Sequence, residues 1–113
     1  MKRLLSLRPI PDGVFACNDP IAMGAMRAIL EAGLRIPEDI AIVGCGNLHY
    51  DDLLRVPLTS IDQNTDGLGT TAARLALSIV RRKTKLSPKI LLESPKLIVR
   101  ASSQKSSPST SEA

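Results

Sequence analysis

Residues 11–47, PDGVFACNDPIAMGAMRAILEAGLRIPEDIAIVGCGN, decide the predicted fold. Two short apolar runs, residues 13–17 and 40–44, are bounded by turn residues and are typical of buried strands. Between them, Asp19 is predicted to cap a helix with Pro20 at its first position, and Gly33 is predicted to end it. A strand, a helix and a strand within about thirty residues indicate a βαβ unit with two parallel strands.

The rest of the chain continues this α/β pattern. Residues 59–63 are predicted to form a third strand, and residues 89–94 and 96–102 two further short strands. Asp66 can cap a second helix over residues 67–83, whose apolar residues share one face: Leu68, Ala72, Leu75, Ala76 and Ile79. The Ser-rich residues 104–113 are predicted to be disordered.

Composition restricts the function classes. The chain has 113 residues, 43% of them hydrophobic, a net charge of +4 and only one Phe and one Tyr. This suits one small domain with an aliphatic core, and it argues against nucleic-acid binding by base stacking. No apolar run is long enough to span a membrane, and Pro9 and Pro11 interrupt the amino-terminal apolar patch, so a cytoplasmic location is expected. Cys17 and Cys45 are expected to be reduced and buried.

The first predicted helix is apolar on two sides. At about 100° per residue, one face carries residues that suit close packing on a sheet: Ile21, Ala25, Ala28 and Ala32. The opposite face carries three larger apolar side chains: Met23, Met26 and Leu30. This second face is either covered within the same domain or is a contact surface for a second subunit, and the pattern leaves both interpretations open.

Motifs for catalysis are weak. Gly44 and Gly46 follow a predicted strand, but His49 occupies the third-glycine position of a dinucleotide-binding fingerprint. Cys45, His49 and Asp51 lack the arrangement of a nucleophilic triad, and neighbouring carboxylates in a loop are more typical of turn caps than of a metal site. The sequence therefore predicts a protein that is not an enzyme and has no cofactor or metal.

The ends of the predicted strands indicate a ligand site. Asn18 lies just beyond the carboxyl end of the first strand, and Gly46 and Asn47 lie just beyond the second. Ligands of open α/β sheets bind in the crevice at these ends, and an asparagine amide offers both a donor and an acceptor. The alternative for Asn18 is a turn residue without a ligand.

Four stretches in a fixed order carry a resemblance to a known family. They are residues 11–47, VPLTSIDQ at 56–63, GLGTTAARLAL at 67–77 and LIVRASS at 97–103. Over residues 11–103 the chain resembles the effector-binding domain of the lactose/galactose repressor family. The resemblance implies an α/β fold of parallel βαβ layers, the type I periplasmic-binding-protein-like fold, present here as an incomplete carboxy-terminal fragment. Residues 1–10 then read as the remnant of a helix or linker, and residues 104–113 as a tail.

The same resemblance implies a function. The chain would be the effector-sensing and dimerisation part of a transcriptional regulator that binds a sugar-like small molecule and forms a homodimer. Operator DNA would be bound only through a helix-turn-helix domain absent from this chain, and no membrane contact is expected. A fragment of a periplasmic-type solute-binding protein is the alternative.

By position, the resemblance also assigns roles to residues. The effector-binding residues are Asn18, Gly46 and Asn47. The hinge residues are Ser60, Asp62 and Gln63. The dimer-interface residues are Met23, Met26 and Leu30.

Gly46 departs from the pattern of the family. The family usually has an aspartate here, which is the main hydrogen-bond acceptor for the effector, and glycine offers no side chain. Either the effector belongs to another chemical class, an anion included, or sensing has been lost.

Overall fold

A four-stranded sheet organises the chain. The structure is a computed structural model, and it describes residues 1–82 and 94–105. The strands, in their spatial order, are β1 (Gly13–Phe15), β2 (Ala41–Cys45), β3 (Thr59–Asp62) and β4 (Lys96–Ile98). The helices are α1 (Lys2–Leu5), α2 (Asp19–Glu31) and α3 (Thr65–Arg82), with a short 3-10 helix at Asp51–Leu53.

The predicted βαβ unit is confirmed. Strands β1 and β2 are parallel, with Val14 opposite Ile42, and α2 forms the crossover between them. Strand β3 adds to β2 in parallel, with Gly44 opposite Ser60, and β4 pairs antiparallel with β3. The carboxyl ends of β2 and β3 therefore meet at one edge of the sheet.

The start of α2 differs from the prediction by one residue. Asn18, not Asp19, is the N-cap: its extended backbone lets its side chain accept a hydrogen bond of 2.9 Å from the Ile21 backbone N–H. Asp19 is the first helical residue and Pro20 the second. The other end is as predicted, because Gly33 has φ +74° and the Leu34 N–H donates to the Ile29 carbonyl at 3.2 Å.

The face that α2 turns to the core also differs from the prediction. The buried apolar residues of α2 are Ala22, Ala25, Met26 and Ile29. Ile21, which was predicted to pack on the sheet, is 51% exposed. The reason is that Asp19 is fully buried, and its position fixes the rotation of the helix so that residues three, seven and ten positions later face inward. The remaining buried apolar residues of the core are Ala16, Ile36, Ile40, Ile42 and Leu58.

Strand β1 was predicted to be buried and is not. It lies at the edge of the sheet, and Gly13 and Phe15 are exposed while Val14 is half-buried. Successive side chains of a strand point to opposite faces, and α2 covers only one of them. Cys17, just beyond β1, is an exposed thiol, contrary to expectation, and Cys45 is a half-buried one.

Helix α3 begins two residues before the predicted start. Asn64 accepts a hydrogen bond of 3.3 Å from the Gly67 N–H through its side chain, so Asp66 lies in the first turn and is not the cap. The predicted apolar face is uncovered: Leu68 and Ile79 are exposed, and no side chain among residues 65–81 is buried. The part of the chain described here contains no helix long and apolar enough to cross a membrane.

At the carboxyl end of the chain, β4 confirms the predicted strand at 96–102 over three residues. The predicted strand at 89–94 lies outside the described residues, apart from Ser94. The predicted disordered tail likewise lies outside them beyond residue 105.

Candidate functional site

A cleft opens where β2 and β3 end. It is lined by residues 46–49, Asp62 and residues 64–66, and its volume is about 310 Å³. We call it the polar cleft. Its walls come from the loop after β2, the end of β3 and the start of α3. The cleft therefore lies at the carboxyl ends of two neighbouring parallel strands, where the sheet geometry predicts a ligand site.

Gly46 forms part of the cleft wall without a side chain. Its φ is +131°, a conformation that favours glycine, and a Cβ there would lie 3.0 Å from Asp19 Oδ2. Its N–H donates to the Ile61 carbonyl at 2.8 Å, which holds this backbone against β3. An aspartate at this position would be strained, so the departure at Gly46 is accompanied by a backbone that suits glycine.

Asn47 lies in the cleft, and both its side-chain nitrogen and its side-chain oxygen are hydrogen-bonded. Its backbone N–H donates to Ser60 Oγ at 3.0 Å, and Nδ2 donates to Asp62 Oδ2 at 3.2 Å. Oδ1 accepts a hydrogen bond of 2.8 Å from Nη2 of Arg100. The structure thus brings together three residues named by the sequence for two different roles: Asn47, Ser60 and Asp62.

Asn18 and Gln63 are not among the residues that line the polar cleft. The side-chain oxygen of Asn18 caps α2, and both residues are exposed. Ser60 is fully buried and Asp62 half-buried. The effector role of Asn18 and the hinge roles of Ser60, Asp62 and Gln63 stay predictions.

Asp19 makes long-range contacts around the cleft that the sequence reasoning missed. Its carboxylate is fully buried, and Oδ1 accepts a hydrogen bond of 2.6 Å from Ser60 Oγ. Oδ2 accepts one of 3.1 Å from the Leu48 N–H. A Cβ at Gly44 would overlap Oδ1. Asp19 therefore ties the start of α2 to both sides of the cleft, and the pair of glycines at 44 and 46 was the signal that could have revealed it.

Asp51 is a second buried carboxylate beside Asp19. In its ionised form, neither of its oxygens has a hydrogen-bond partner among the described residues. Burial, and then the negative charge of Asp19, raise the pKa of Asp51 to about 6. Nη1 of Arg100, 4.0 Å from Asp51 Oδ2, lowers it in part. Asp51 thus carries its proton more readily than an ordinary aspartate.

Arg100 connects several segments around the cleft. Its guanidinium donates to the Leu58 carbonyl at 2.8 Å, pairs with Asp52 and holds Asn47. Its own N–H donates to Thr59 Oγ1 at 2.8 Å. Because Arg100 and Asn47 are 53 residues apart, no local pattern could have indicated this contact.

An apolar groove lies on α2, away from the polar cleft. Its lining includes Met23, Met26 and Leu30 of α2 and Leu54 and Val56 of the loop before β3, and its volume is about 270 Å³. We call it the apolar groove. Met26 is 5% exposed and belongs to the core, whereas Met23 is 38% exposed. The core interpretation of this helix face therefore holds for Met26, whereas the subunit-contact role of Met23, Met26 and Leu30 stays a prediction.

Comparison with known proteins identifies the family. Residues 1–103 match the periplasmic binding protein-like domain. The chain is 39% identical over 102 residues to the HTH-type transcriptional repressor PurR of Pasteurella multocida, covering 90% of this chain and 30% of that protein. It is also 39% identical over 105 residues to PurR of Mannheimia succiniciproducens, covering 93% of this chain and 31% of that one. The chain belongs to this family as the carboxy-terminal part of the effector domain of LacI-family regulators, and it spans about 30% of the length of these relatives.

Solved structures agree on the fold. The transcriptional regulator CelR in complex with cellobiose has a TM-score of 0.81 at 34% identity, over 89% of this chain and 31% of that one. A LacI-family regulator from Enterococcus faecalis V583 with bound ribose has a TM-score of 0.75 at 40% identity, over 80% and 34%. The predicted α/β fold of the type I periplasmic-binding-protein class is therefore confirmed, and the homologues are transcriptional regulators, not enzymes.

Proposed function

We propose that this chain is the effector-sensing part of a LacI-type transcriptional regulator and that the polar cleft is one wall of its small-molecule site. The observation that carries the proposal is the position of the cleft at the carboxyl ends of two neighbouring parallel strands, lined by fixed polar groups. As the chain spans about 30% of its relatives, the opposite wall would be supplied from outside these residues.

The charges of the cleft favour a neutral, polyhydroxylated effector. Its lining contains Asp62 and Asp66 and neither Lys nor Arg. An anion would meet two carboxylates at short range, which argues against the anionic class that the glycine at position 46 left open. The sugars bound by the CelR and E. faecalis structures support the sugar class by analogy.

We also propose that the chain associates with a second copy as a homodimer, and the apolar groove supports this proposal. Met23 and Leu30 offer adaptable apolar surface, and the charged residues Arg27, Glu31 and Arg55 surround it. Operator DNA would be bound through a helix-turn-helix domain outside residues 1–113, in a protein that acts in the cytoplasm.

Titration calorimetry of the 113-residue chain tests the effector proposal. The probes are D-glucose, D-ribose, cellobiose and adenine at millimolar concentrations. We expect at least one neutral sugar to bind with millimolar affinity, because one wall of a cleft provides only part of the contacts. A chain that is folded by circular dichroism and binds none of the four probes would contradict the proposed function.

A further inference from the structure

Asp62 is a carboxylate held in place at the polar cleft by two donors. Oδ2 accepts a hydrogen bond of 3.2 Å from Asn47 Nδ2, and Oδ1 accepts one of 2.8 Å from the Asn64 N–H. Each carboxylate oxygen can accept two hydrogen bonds, so each of these oxygens keeps capacity for a ligand. Asp62 thus combines a fixed orientation with unused acceptor capacity.

The orientation of Asn47 is itself fixed from the other side. Because Nη2 of Arg100 donates to Oδ1 at 2.8 Å, the amide nitrogen of Asn47 faces Asp62 and cannot exchange places with the oxygen. The guanidinium is anchored in turn by the Leu58 carbonyl at 2.8 Å and by Asp52. A chain of hydrogen bonds therefore runs from the end of β4 through Asn47 to the carboxylate at the cleft.

The other carboxylates nearby are less suited to a ligand. Both oxygens of Asp19 are engaged inside the protein, and the side chain is fully buried. Asp66 is exposed in the first turn of α3, and none of the described residues holds its carboxylate. An acidic residue in the first turn has a structural explanation without a ligand, because its negative charge complements the positive end of the helix dipole.

We infer that Asp62 is the hydrogen-bond acceptor this wall offers to the effector, and that Asn47, anchored by Arg100, is a positioning residue that aims it. This inference rests on the proposed function and names the ligand chemistry: a hydroxyl or N–H donor that is neutral or cationic. Gly46, which lines the same cleft, adds no side chain to it.

The first experiment compares D-glucose with glucose 6-phosphate on the wild-type chain by titration followed in ¹⁵N–¹H spectra. The negative charge of a carboxylate acceptor disfavours the phosphate, so D-glucose binds more tightly by about threefold or more. This comparison needs no variant. Equal or tighter binding of glucose 6-phosphate at the polar cleft overturns the inference.

The second experiment replaces the acceptor. Asp62→Asn keeps the shape and removes the charge, and the expected loss of D-glucose affinity is about tenfold or more, because hydrogen bonds to charged groups are the stronger ones. Asp12→Asn makes the same charge change at an exposed residue outside the cleft and leaves the affinity within about twofold of wild type. If D-glucose binds and Asp62→Asn behaves like Asp12→Asn, the inference is wrong while the proposed function stands.

The positioning role is tested by a double variant. Asn47 has φ +50°, so Asn47→Gly removes the amide without backbone strain, and the expected loss is about threefold to tenfold. If Asn47 acts through Asp62, the Asn47→Gly/Asp62→Asn variant binds no more weakly than Asp62→Asn alone. Additive losses would assign Asn47 a structural role only. Absence of binding by every probe, with the wild type folded, would overturn the proposed function itself.

Discussion

The polar cleft and the apolar groove are similar in size and opposite in chemistry. The polar cleft measures about 310 Å³ and is lined by carboxylates, amides and backbone at the ends of β2 and β3. The apolar groove measures about 270 Å³, and its apolar lining consists of methionine and leucine side chains of α2 and of Leu54 and Val56 from the loop before β3. The difference shows how one small α/β unit separates a surface suited to a polar ligand from a surface suited to another protein.

The two cavities also differ in how they are held. The groove is held by hydrophobic packing, because one of its lining residues, Met26, is buried in the core. The cleft depends on hydrogen bonds between distant segments, through Asp19, Asn47 and Arg100. Loss of the buried groove residue Met26 should therefore reduce stability most, and loss of the hydrogen bonds around the cleft should chiefly reduce the order of the site.

The largest expected effect concerns the base of the groove. Met26→Ala removes a buried side chain and should lower the free energy of unfolding by about 2–4 kcal/mol. Met23→Ala, at the accessible edge of the same groove, should lower it by less than about 1 kcal/mol. Urea denaturation of both variants measures the difference. Equal losses of stability would show that Met26 does not contribute more to the core than Met23 does.

The next effect concerns the pH dependence of stability caused by the buried carboxylates Asp19 and Asp51. Because the pKa of Asp51 is raised to about 6 from 3.8, the folded state keeps a proton that the unfolded state loses between these values. The free energy of unfolding should therefore fall by roughly 2–3 kcal/mol as the pH rises from about 4 to above 6. Asp51→Asn should remove this fall and be more stable than wild type at neutral pH.

The control for this pH experiment is Asp39→Asn. The hydrogen bonds from Arg35 lower the pKa of Asp39 to about 2, so Asp39 acts below the window of Asp51 and in the opposite direction. Asp39→Asn should retain the fall in stability between about pH 4 and pH 6. A wild-type chain whose stability rises across that window would contradict the account of Asp51.

Substitutions of two glycines, one in the cleft wall and one in α2, should have smaller effects on stability and of opposite sign. Gly46→Ala places a side chain at φ +131° close to Asp19, and it should destabilise the chain by about 1–2 kcal/mol. Gly24→Ala lies in α2 with open space around the new Cβ, and it should stabilise the chain by about 0.5–1 kcal/mol. Thermal unfolding of the two variants should give shifts of opposite sign, and a shared sign would contradict the glycine argument.

The smallest expected effect concerns self-association. Met23→Glu places a charge in the groove and should weaken the proposed homodimer by about 1 kcal/mol, roughly fivefold in its dissociation constant. Ile21→Glu makes the same kind of change at an exposed residue of α2 outside the groove and should leave association unchanged. Analytical ultracentrifugation distinguishes the two. Met23→Glu is preferable to a charge at Met26, which would unfold the core.

The sequence predicted the groove more completely than the cleft, for a physical reason. Met23, Met26 and Leu30 recur at helical spacing, so a local pattern places them along one side of α2. That pattern could not tell which side faces the sheet, because the burial of Asp19 decides the rotation of the helix. The βαβ order and the parallel direction of β1 and β2 followed from apolar runs and turn residues alone.

The polar cleft was located by the sequence but not described by it. The parallel strands predicted that Gly46 and Asn47 lie at the carboxyl edge of the sheet, where the cleft is found. The contacts of Asn47 with Asp62 and Arg100 join residues 15 and 53 positions apart, and no local period encodes such pairs. For the same reason Asp19 was interpreted as a cap, since its partners Leu48 and Ser60 come from later segments.

The central claim is that the ligand binds in the polar cleft and not in the apolar groove. One titration of the chain, labelled at backbone amides and at methionine methyl groups, observes both cavities with D-glucose as the probe. We predict that the amide signals of Gly46, Leu48 and Thr65 shift in a saturable way, while the methyl signals of Met23 and Met26 stay in place. Saturable shifts of the methionine methyl groups with unchanged amides at Gly46 and Leu48 would contradict it.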